Sequence, residues 1–335
     1  MNELAKIEAR NYLSAAGFFV FAACEFLWLI TFVTSTMSSF NSAIDIVGGI
    51  AMLIIATLLM ILRKRDMIAI LFVMLGFLLF FWSNAPGQIP GILTSVFALL
   101  IAIVTLMSKD KQKWLVFLLP FLLVVGHLFM FSDQAHGIVY GIVVVLSLYY
   151  AFVCASERIN LPGRKFLTAD ENTDFKSSGS VLGYILFALI AGAYTVYYII
   201  GGGLLTLEIL TIVEFLGSAL LIYTAIMLFA VGKMRFTPVM FLLLALVNFL
   251  VLFSSGPMFI GTCILMIIIG IFAMLRKESR ILPGIMLIIY GCTDLFTAFA
   301  GGNMPVVSVI LNGIPCLIAI YLAFAVYSQK KLPLF

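Results

Sequence analysis

The sequence predicts an all-α integral membrane protein with about twelve transmembrane helices, and three observations support this fold class. Apolar residues make up 64% of the 335 residues and charged residues only 10%, whereas soluble domains contain roughly 45–50% apolar and 25% charged residues. Apolar runs recur along the whole chain, each close to the ~20 residues that cross a bilayer as a helix. They lack the period-two alternation of barrel strands, so helices must satisfy their backbone hydrogen bonds.

Polar breaks divide the apolar residues into two groups of six runs. The predicted spans are 12–34, 44–62, 67–82, 89–107, 114–131 and 137–155, followed by 180–200, 209–231, 236–254, 257–275, 281–299 and 305–327. The longest polar stretch separates the two groups and contains Pro162, Gly163 and several acidic residues. We therefore predict a six-helix repeat over 1–156, a cytoplasmic linker over 157–178 and a second six-helix repeat over 179–335.

The basic residues are all found on one side of this predicted topology. All 19 lysines and arginines precede span 1, follow an even-numbered span or lie in the linker, while the alternate loops contain none. By the positive-inside rule, both termini are cytoplasmic. We expect the protein to be a multi-pass protein of an inner or plasma membrane. The regular alternation supports the count of twelve, because one missed or extra span would move later clusters to the opposite side.

Short segments of the first half recur in the second half about 166 residues later. Gly17–Ala22 corresponds to Gly183–Ala188, and Leu128-Phe129 corresponds to Leu295-Phe296 at nearly the same spacing. We interpret the chain as a diverged tandem duplication of a six-helix unit. Because six is even, the two repeats would be parallel and related by an axis along the membrane normal. The solute pathway could be one per bundle or shared between them.

Glycine and small-residue motifs add a family resemblance to this pattern. They are Gly48–Leu53 followed by a basic turn and Gly76-Phe77, Gly137–Ile142 followed by Tyr149–Phe152, and Ile314–Ile318 followed by Tyr321–Ala325. These motifs resemble the second, third and sixth helices of the acetate uptake, or succinate-acetate permease, family. The resemblance implies transport of a short monocarboxylate such as acetate and, for a duplicated unit, a trimeric homo-oligomer. The family's Asn-Pro-Ala-Pro-Leu-Gly signature is absent from both halves.

Ionisable residues inside the apolar spans are the first candidates for a transport path. Each costs roughly 2.5 to 3.5 kcal/mol on insertion scales, so its retention suggests a function. The candidates are Glu25, His127, Glu214 and Asp294, with Asn248 and Asn312 as neutral polar groups. His127 and Asp294 occupy matching places before the shared Leu-Phe pair. We predict that a carboxyl group binds a proton and that His127 exchanges one, so that protons drive solute movement.

Several of these residues also have a structural interpretation. His127 could be satisfied by an interhelical hydrogen bond, and Glu214 could reach headgroup water from its place early in span 8. Asp45 and Glu208 lie at span ends, where we expect them to face water.

Two aromatic residues at matching positions extend the candidate list. Trp28 in span 1 corresponds to Tyr194 in span 7. Both are predicted either to narrow a pathway or to lie in the interfacial and lipid-facing aromatic belt.

Other motifs indicate what the protein is not expected to do. No Ser-His-Asp, HExxH or CxxC arrangement appears, and Gly201-Gly202-Gly203 lacks the strand and the Lys-Ser/Thr of a phosphate loop. We expect no enzyme activity, no cofactor, no metal and no nucleic-acid partner; the expected partners are the lipid bilayer and a small solute. No lysine or arginine lies within a predicted span, so an anion would have to be protonated in transit or held by amides and hydroxyls.

These observations favour a transporter or channel for a small solute. The alternative is a non-transporting scaffold or complex subunit whose small-residue helix faces pack against partners.

Overall fold

The computed structural model describes residues 3–34, 39–62, 67–84, 89–106, 114–128, 133–156, 161, 175–200, 206–231, 236–253, 257–276, 280–300 and 305–328. Within these residues 98% of the chain is helical and no strand occurs. The predicted fold class, an all-α membrane protein, is confirmed.

Twelve helices follow one another along the described residues. They are α1 (Glu3–Thr34), α2 (Ser39–Ile61), α3 (Met67–Asn84), α4 (Ile89–Leu106), α5 (Trp114–Leu128), α6 (Asp133–Ala155), α7 (Phe175–Ile200), α8 (Leu207–Val231), α9 (Phe236–Phe253), α10 (Pro257–Arg276), α11 (Ile281–Ala300) and α12 (Pro305–Tyr327). Eight are long and apolar enough to cross a membrane, whereas the described apolar parts of α3, α4, α5 and α9 are shorter. That all twelve helices span the bilayer stays a prediction.

Several helices begin earlier than the apolar runs predict. Helix α1 begins at Glu3 rather than at residue 12, and α7 begins at Phe175 rather than at residue 180. Asp133, expected in an outer turn, is the first residue of α6. Hydropathy marks only the part of a helix that suits hydrocarbon, while backbone hydrogen bonding continues through polar residues. Most of the predicted linker, apart from residues 161 and 175–178, lies outside the described residues.

Prolines mark where several helices begin. A proline has no N–H to donate, and the first turn of a helix has no intrahelical use for that donor. Prolines accordingly occupy the first three positions of α4, α9, α10, α11 and α12, as Pro90, Pro238, Pro257, Pro283 and Pro305. Pro120 in α5 and Pro315 in α12 lie inside their helices, where each removes one backbone hydrogen bond.

The chain forms two compact units, Met1–Phe175 and Lys176–Phe335. In the first unit each helix from α1 to α6 packs on the next, and α1 also packs along α6, which closes the bundle. In the second unit consecutive helices pack from α8 to α12. Helix α7 contacts α12 of the same unit, where the Cys316 thiol of α12 donates a hydrogen bond to the Ala188 carbonyl oxygen of α7 at 3.3 Å.

Two glycine pairs allow helix backbones to approach closely. A Cβ atom added to Gly49 of α2 would lie 2.8 Å from the carbonyl oxygen of Gly76 in α3. In the second unit, a Cβ atom on Gly284 of α11 would lie 2.7 Å from the carbonyl oxygen of Gly270 in α10. Backbone atoms cannot yield as a flexible side chain can, so these crossings require glycine.

The outer surface of the helices carries large apolar side chains. Val47, Ile138, Leu275, Phe299 and Leu317 are between 65% and 78% exposed. Exposing so much apolar surface to water would be unfavourable in free energy, whereas lipid tails are as apolar as the side chains themselves. The surface therefore supports a bilayer as the solvent of this fold.

Candidate functional site

The first unit contains a buried polar cluster between α1 and α2. The indole Nε1–H of Trp28 donates a hydrogen bond to Oδ2 of Asp45. Asp45 is only 1% exposed, so the expectation that it faces water is wrong. Asp45 shares a helix face with Gly48 and Gly49, three and four residues later, where α2 packs closely on its neighbours. The spacing of three and four residues between Asp45 and these two glycines is the feature of the sequence that could have predicted the burial of Asp45.

Glu25 lies beside this hydrogen bond. It precedes Trp28 by three residues, so both side chains are on the same face of α1. Glu25 is 4% exposed and Asp45 is 1% exposed. The first unit therefore buries two carboxyl groups, one on α1 and one on α2.

The second unit contains a corresponding hydrogen bond between α7 and α8. The hydroxyl of Tyr194 donates to Oε2 of Glu214 at 2.7 Å. Glu214 is 2% exposed, so this carboxyl group is enclosed by protein rather than bathed in headgroup water. Trp28 and Tyr194, paired by sequence position alone, thus both donate to a carboxylate on the following helix.

Asp294 of α11 is the second carboxyl group of this unit. Its Oδ2 is buried and has no hydrogen-bond partner among the described residues. Its charged form would interact with that of Glu214, although the two residues belong to different helices. A buried carboxylate oxygen without a donor is costly, so it points to an occupant that would satisfy it.

A cavity of about 290 Å³ separates these side chains in the second unit. Its polar lining consists of Glu214, Thr293, Asp294, Thr297 and Asn312. Its aromatic lining consists of Tyr194, Tyr198, Phe259 and Tyr290. Four residues predicted from the sequence, Tyr194, Glu214, Asp294 and Asn312, are therefore brought together around one space.

The two predicted asparagines have different roles around the cavity. Asn312 of α12 is 5% exposed, lines the cavity and donates from Nδ2 to the Ser308 carbonyl oxygen at 2.9 Å. Asn248 of α9 contacts a lining residue, because its Oδ1 accepts a 2.7 Å hydrogen bond from the hydroxyl of Tyr290. Tyr290 was missed in the sequence, although it precedes Asp294 by four residues and so shares its helix face.

His127 is the remaining sequence candidate. It belongs to α5, and its side chain lies outside what the structure describes. Its predicted exchange of protons, and its correspondence with Asp294, stay predictions.

Within the described ranges, no three His, Cys, Asp or Glu side chains are grouped so that they could hold a metal ion. The cavity is instead lined by carboxyl, hydroxyl, amide and aromatic groups. Such a lining suits a small molecule held by hydrogen bonds and ring contacts.

The helices and their apolar surface define a multi-pass helical membrane protein. No protein-family model, no curated protein and no solved structure matches the chain. Its resemblance to the acetate uptake family therefore stays an expectation from the sequence.

Proposed function

We propose that the protein is a transporter for a small solute and that the second-unit cavity is its solute site. The supporting observation is the pair of carboxyl side chains, Glu214 and Asp294, that two different helices bring to one cavity. Each costs several kcal/mol to keep within a membrane. A purely structural bundle would be more stable with apolar residues in place of Glu214 and Asp294, whereas a solute site needs such groups to bind its solute.

Proton coupling follows from the same carboxyl groups. A carboxyl group exists in a neutral and a charged form, and only the charged form can attract a cation or repel an anion. Asp294 Oδ2 has no described partner that would commit it to one form. Proton binding at Asp294 therefore changes the affinity of the cavity for a charged solute.

The resemblance from the sequence suggests a short monocarboxylate such as acetate. In the part of the chain that the structure describes, no lysine or arginine lines the cavity, so an acetate ion would face two carboxylates without a compensating positive charge there. A monocarboxylate would therefore enter this site as the neutral acid, which carries one O–H donor.

A tandem duplication is the proposed origin of the two units. Besides the Trp28 and Tyr194 hydrogen bonds, the same ring contact joins the first and third helices of each unit. Phe18 meets Phe72 edge-on at 4.8 Å between centroids, and Tyr184 meets Phe241 edge-on at 5.1 Å. A chain of two such units would assemble as a trimer if it followed the hexameric arrangement of the family that it resembles.

The second candidate function is a membrane scaffold or complex subunit. Gly261 of α10 supports it, because this glycine is exposed and an added Cβ atom would meet nothing within 4 Å. A small residue on an open helix face is the usual contact point for a partner helix.

Uptake into proteoliposomes distinguishes the two functions. The native chain, Asp294→Asn and Glu208→Gln would be compared for labelled acetate, ethylammonium, urea and glycerol, with and without a proton gradient. Glu208 is exposed on α8 and serves as a control for the loss of one carboxylate. Transport predicts flux of at least one solute, reduced in Asp294→Asn and unchanged in Glu208→Gln. No flux of any solute would favour the scaffold.

A further inference from the structure

Of the tyrosine hydroxyls that line the second-unit cavity, those of Tyr194 and Tyr290 already have acceptors in the protein. Tyr194 donates its single hydroxyl hydrogen to Glu214, and Tyr290 donates its own to Asn248. A hydroxyl has one hydrogen and two lone pairs. Toward an occupant of the cavity, both of these hydroxyls can therefore act only as acceptors.

The threonine hydroxyls of the lining also donate their hydrogens to backbone carbonyl oxygens. Thr293 Oγ1 lies 2.8 Å from the carbonyl oxygen of Ile289 and 3.0 Å from that of Leu311. Thr297 Oγ1 donates to the Thr293 carbonyl oxygen at 2.9 Å. Both hydroxyls therefore present lone pairs, rather than hydrogens, to the cavity.

The remaining polar atoms of the lining are mostly acceptors too. Asp294 Oδ2 is buried and without a described partner, and Glu214 accepts one described hydrogen bond although a carboxylate can accept about four. Asn312 uses one amide hydrogen on Ser308, and its carboxamide oxygen is an acceptor by its chemistry. The second N–H of Asn312 and the hydroxyl of Tyr198 are groups of the lining that can donate.

Aromatic rings complete the wall of the cavity. Its aromatic lining consists of Tyr194, Tyr198, Phe259 and Tyr290, and among the residues that the structure describes no basic side chain lines it. The face of an aromatic ring attracts a cation through its quadrupole, most strongly where water is excluded. The cavity therefore favours a positively charged occupant that donates hydrogen bonds. Its polar groups are mostly acceptors, two of them are carboxyl groups, and its aromatic rings attract cations.

We propose that this cavity binds a small organic cation with several N–H donors, of the primary ammonium class. The inference rests on the proposed transport function and names its substrate class. The cavity volume of about 290 Å³ is near the lower end of small-molecule pockets, which begin at roughly 300 Å³. The ammonium group donates to Asp294, Glu214 and Asn312, and its short alkyl chain contacts the rings.

Proton exchange follows from this assignment. A proton on Asp294 removes the charge that holds the ammonium ion, so proton and solute compete for one carboxyl group. Binding of the solute releases the proton, and binding of the proton releases the solute. Transport through this site is therefore an exchange of one cation for another, which preserves charge.

The first test measures binding by isothermal titration calorimetry on the purified full-length chain in detergent at neutral pH. Ethylammonium chloride is the probe, and sodium acetate and sodium chloride are the comparison solutes. Ethylammonium binds, while acetate does not. Asp294→Asn and Glu214→Gln each weaken ethylammonium binding about tenfold or more, because each removes a charge-assisted hydrogen bond. Glu208→Gln leaves the affinity unchanged.

A second measurement does not depend on any variant. In a weakly buffered solution, the native chain releases protons when ethylammonium binds, and a lower starting pH weakens the binding. Acetate binding without ethylammonium binding, or equal ethylammonium affinity in Asp294→Asn and the native chain, would overturn the inference.

Different results would refute the proposed transport function and the proposed substrate class. Proteoliposome uptake of acetate or glycerol, but not of ethylammonium, would leave the transport function standing and remove the cation assignment. Ethylammonium binding with no flux of any solute would instead remove transport and leave the binding site.

Discussion

The two units form the same hydrogen bond in different surroundings. In each, an aromatic residue on the first helix donates to a carboxylate on the second, Trp28 to Asp45 and Tyr194 to Glu214. In the first unit the neighbouring carboxyl group, Glu25, is on the same helix as the aromatic donor. In the second unit it is Asp294, which lies on the fifth helix of the unit across a cavity. The second unit therefore places its two carboxyl groups, on two different helices, in the lining of one cavity.

The close glycine crossings also differ in their place. In the first unit, Gly49 and Gly76 bring together the second and third helices. In the second unit, Gly270 and Gly284 bring together the fourth and fifth. The second crossing holds α11, which carries Tyr290, Thr293, Asp294 and Thr297 into the cavity lining. Tight packing in the second unit therefore serves the element that builds the site.

Removing one carboxylate from each unit gives the largest expected effect. Glu214→Gln keeps an acceptor for Tyr194 but loses the charge at the cavity, so the initial rate of uptake falls about tenfold or more. Asp45→Asn makes the same change in the first unit and lowers the rate less than about twofold. Rates are measured in proteoliposomes at equal protein content. Equal losses in both variants would show that each unit contains a pathway.

Adding one methyl group at the glycine crossings has the next largest effect. Gly284→Ala and Gly49→Ala each place a Cβ atom against a backbone oxygen, which costs about 1–3 kcal/mol of unfolding free energy. Gly261→Ala, where nothing lies within 4 Å, changes stability by less than about 0.5 kcal/mol. The measurement is unfolding in a detergent–dodecyl sulfate titration. A loss confined to Gly284→Ala would mean that α2 and α3 can move apart at Gly49 and Gly76 to accommodate the added methyl group.

Removing each aromatic donor has a smaller effect on stability and separates structural from transport roles. Tyr194→Phe and Trp28→Phe each leave a buried carboxylate oxygen without its donor and cost about 1 kcal/mol. Tyr12→Phe, at a position 60% exposed, is the control and is close to neutral. Only Tyr194→Phe also lowers uptake, since only Tyr194 lines the described cavity. A matching loss of uptake in Trp28→Phe would contradict this distinction.

The smallest expected effect on ethylammonium affinity comes from removing a cavity hydroxyl that already donates a hydrogen bond within its own helix. Thr297→Val preserves shape and removes a hydroxyl whose hydrogen is already used within α11. Ethylammonium affinity falls less than about threefold, since a single neutral lone pair contributes little beside two carboxylates. Thr211→Val, at an exposed hydroxyl of α8 that bonds to its own helix, is the control. A loss as large as that of Asp294→Asn would show that neutral groups dominate binding.

Helix positions and several site residues could be predicted because both depend on local properties. Each of the twelve predicted apolar runs overlaps one helix of the described residues, in the same order, because a segment without access to water must satisfy its own backbone hydrogen bonds. Glu25, Glu214 and Asp294 were identified because a charge within an apolar run is expensive wherever its helix packs. Asp45 was misjudged because its place near a span end carries no information about the neighbouring helix that covers it.

The sequence by itself determined a helical membrane fold, the helix boundaries to within a few residues at most ends, and a short list of polar candidates. Only the tertiary structure decided which candidates meet, because contacts between Tyr194 and Glu214, or between Tyr290 and Asn248, join residues 20 and 42 positions apart. It also decided that four cavity hydroxyls, those of Tyr194, Tyr290, Thr293 and Thr297, donate their hydrogens to acceptors within the protein. Hydrogen-bond direction depends on which acceptor lies within reach, and helix packing sets that distance.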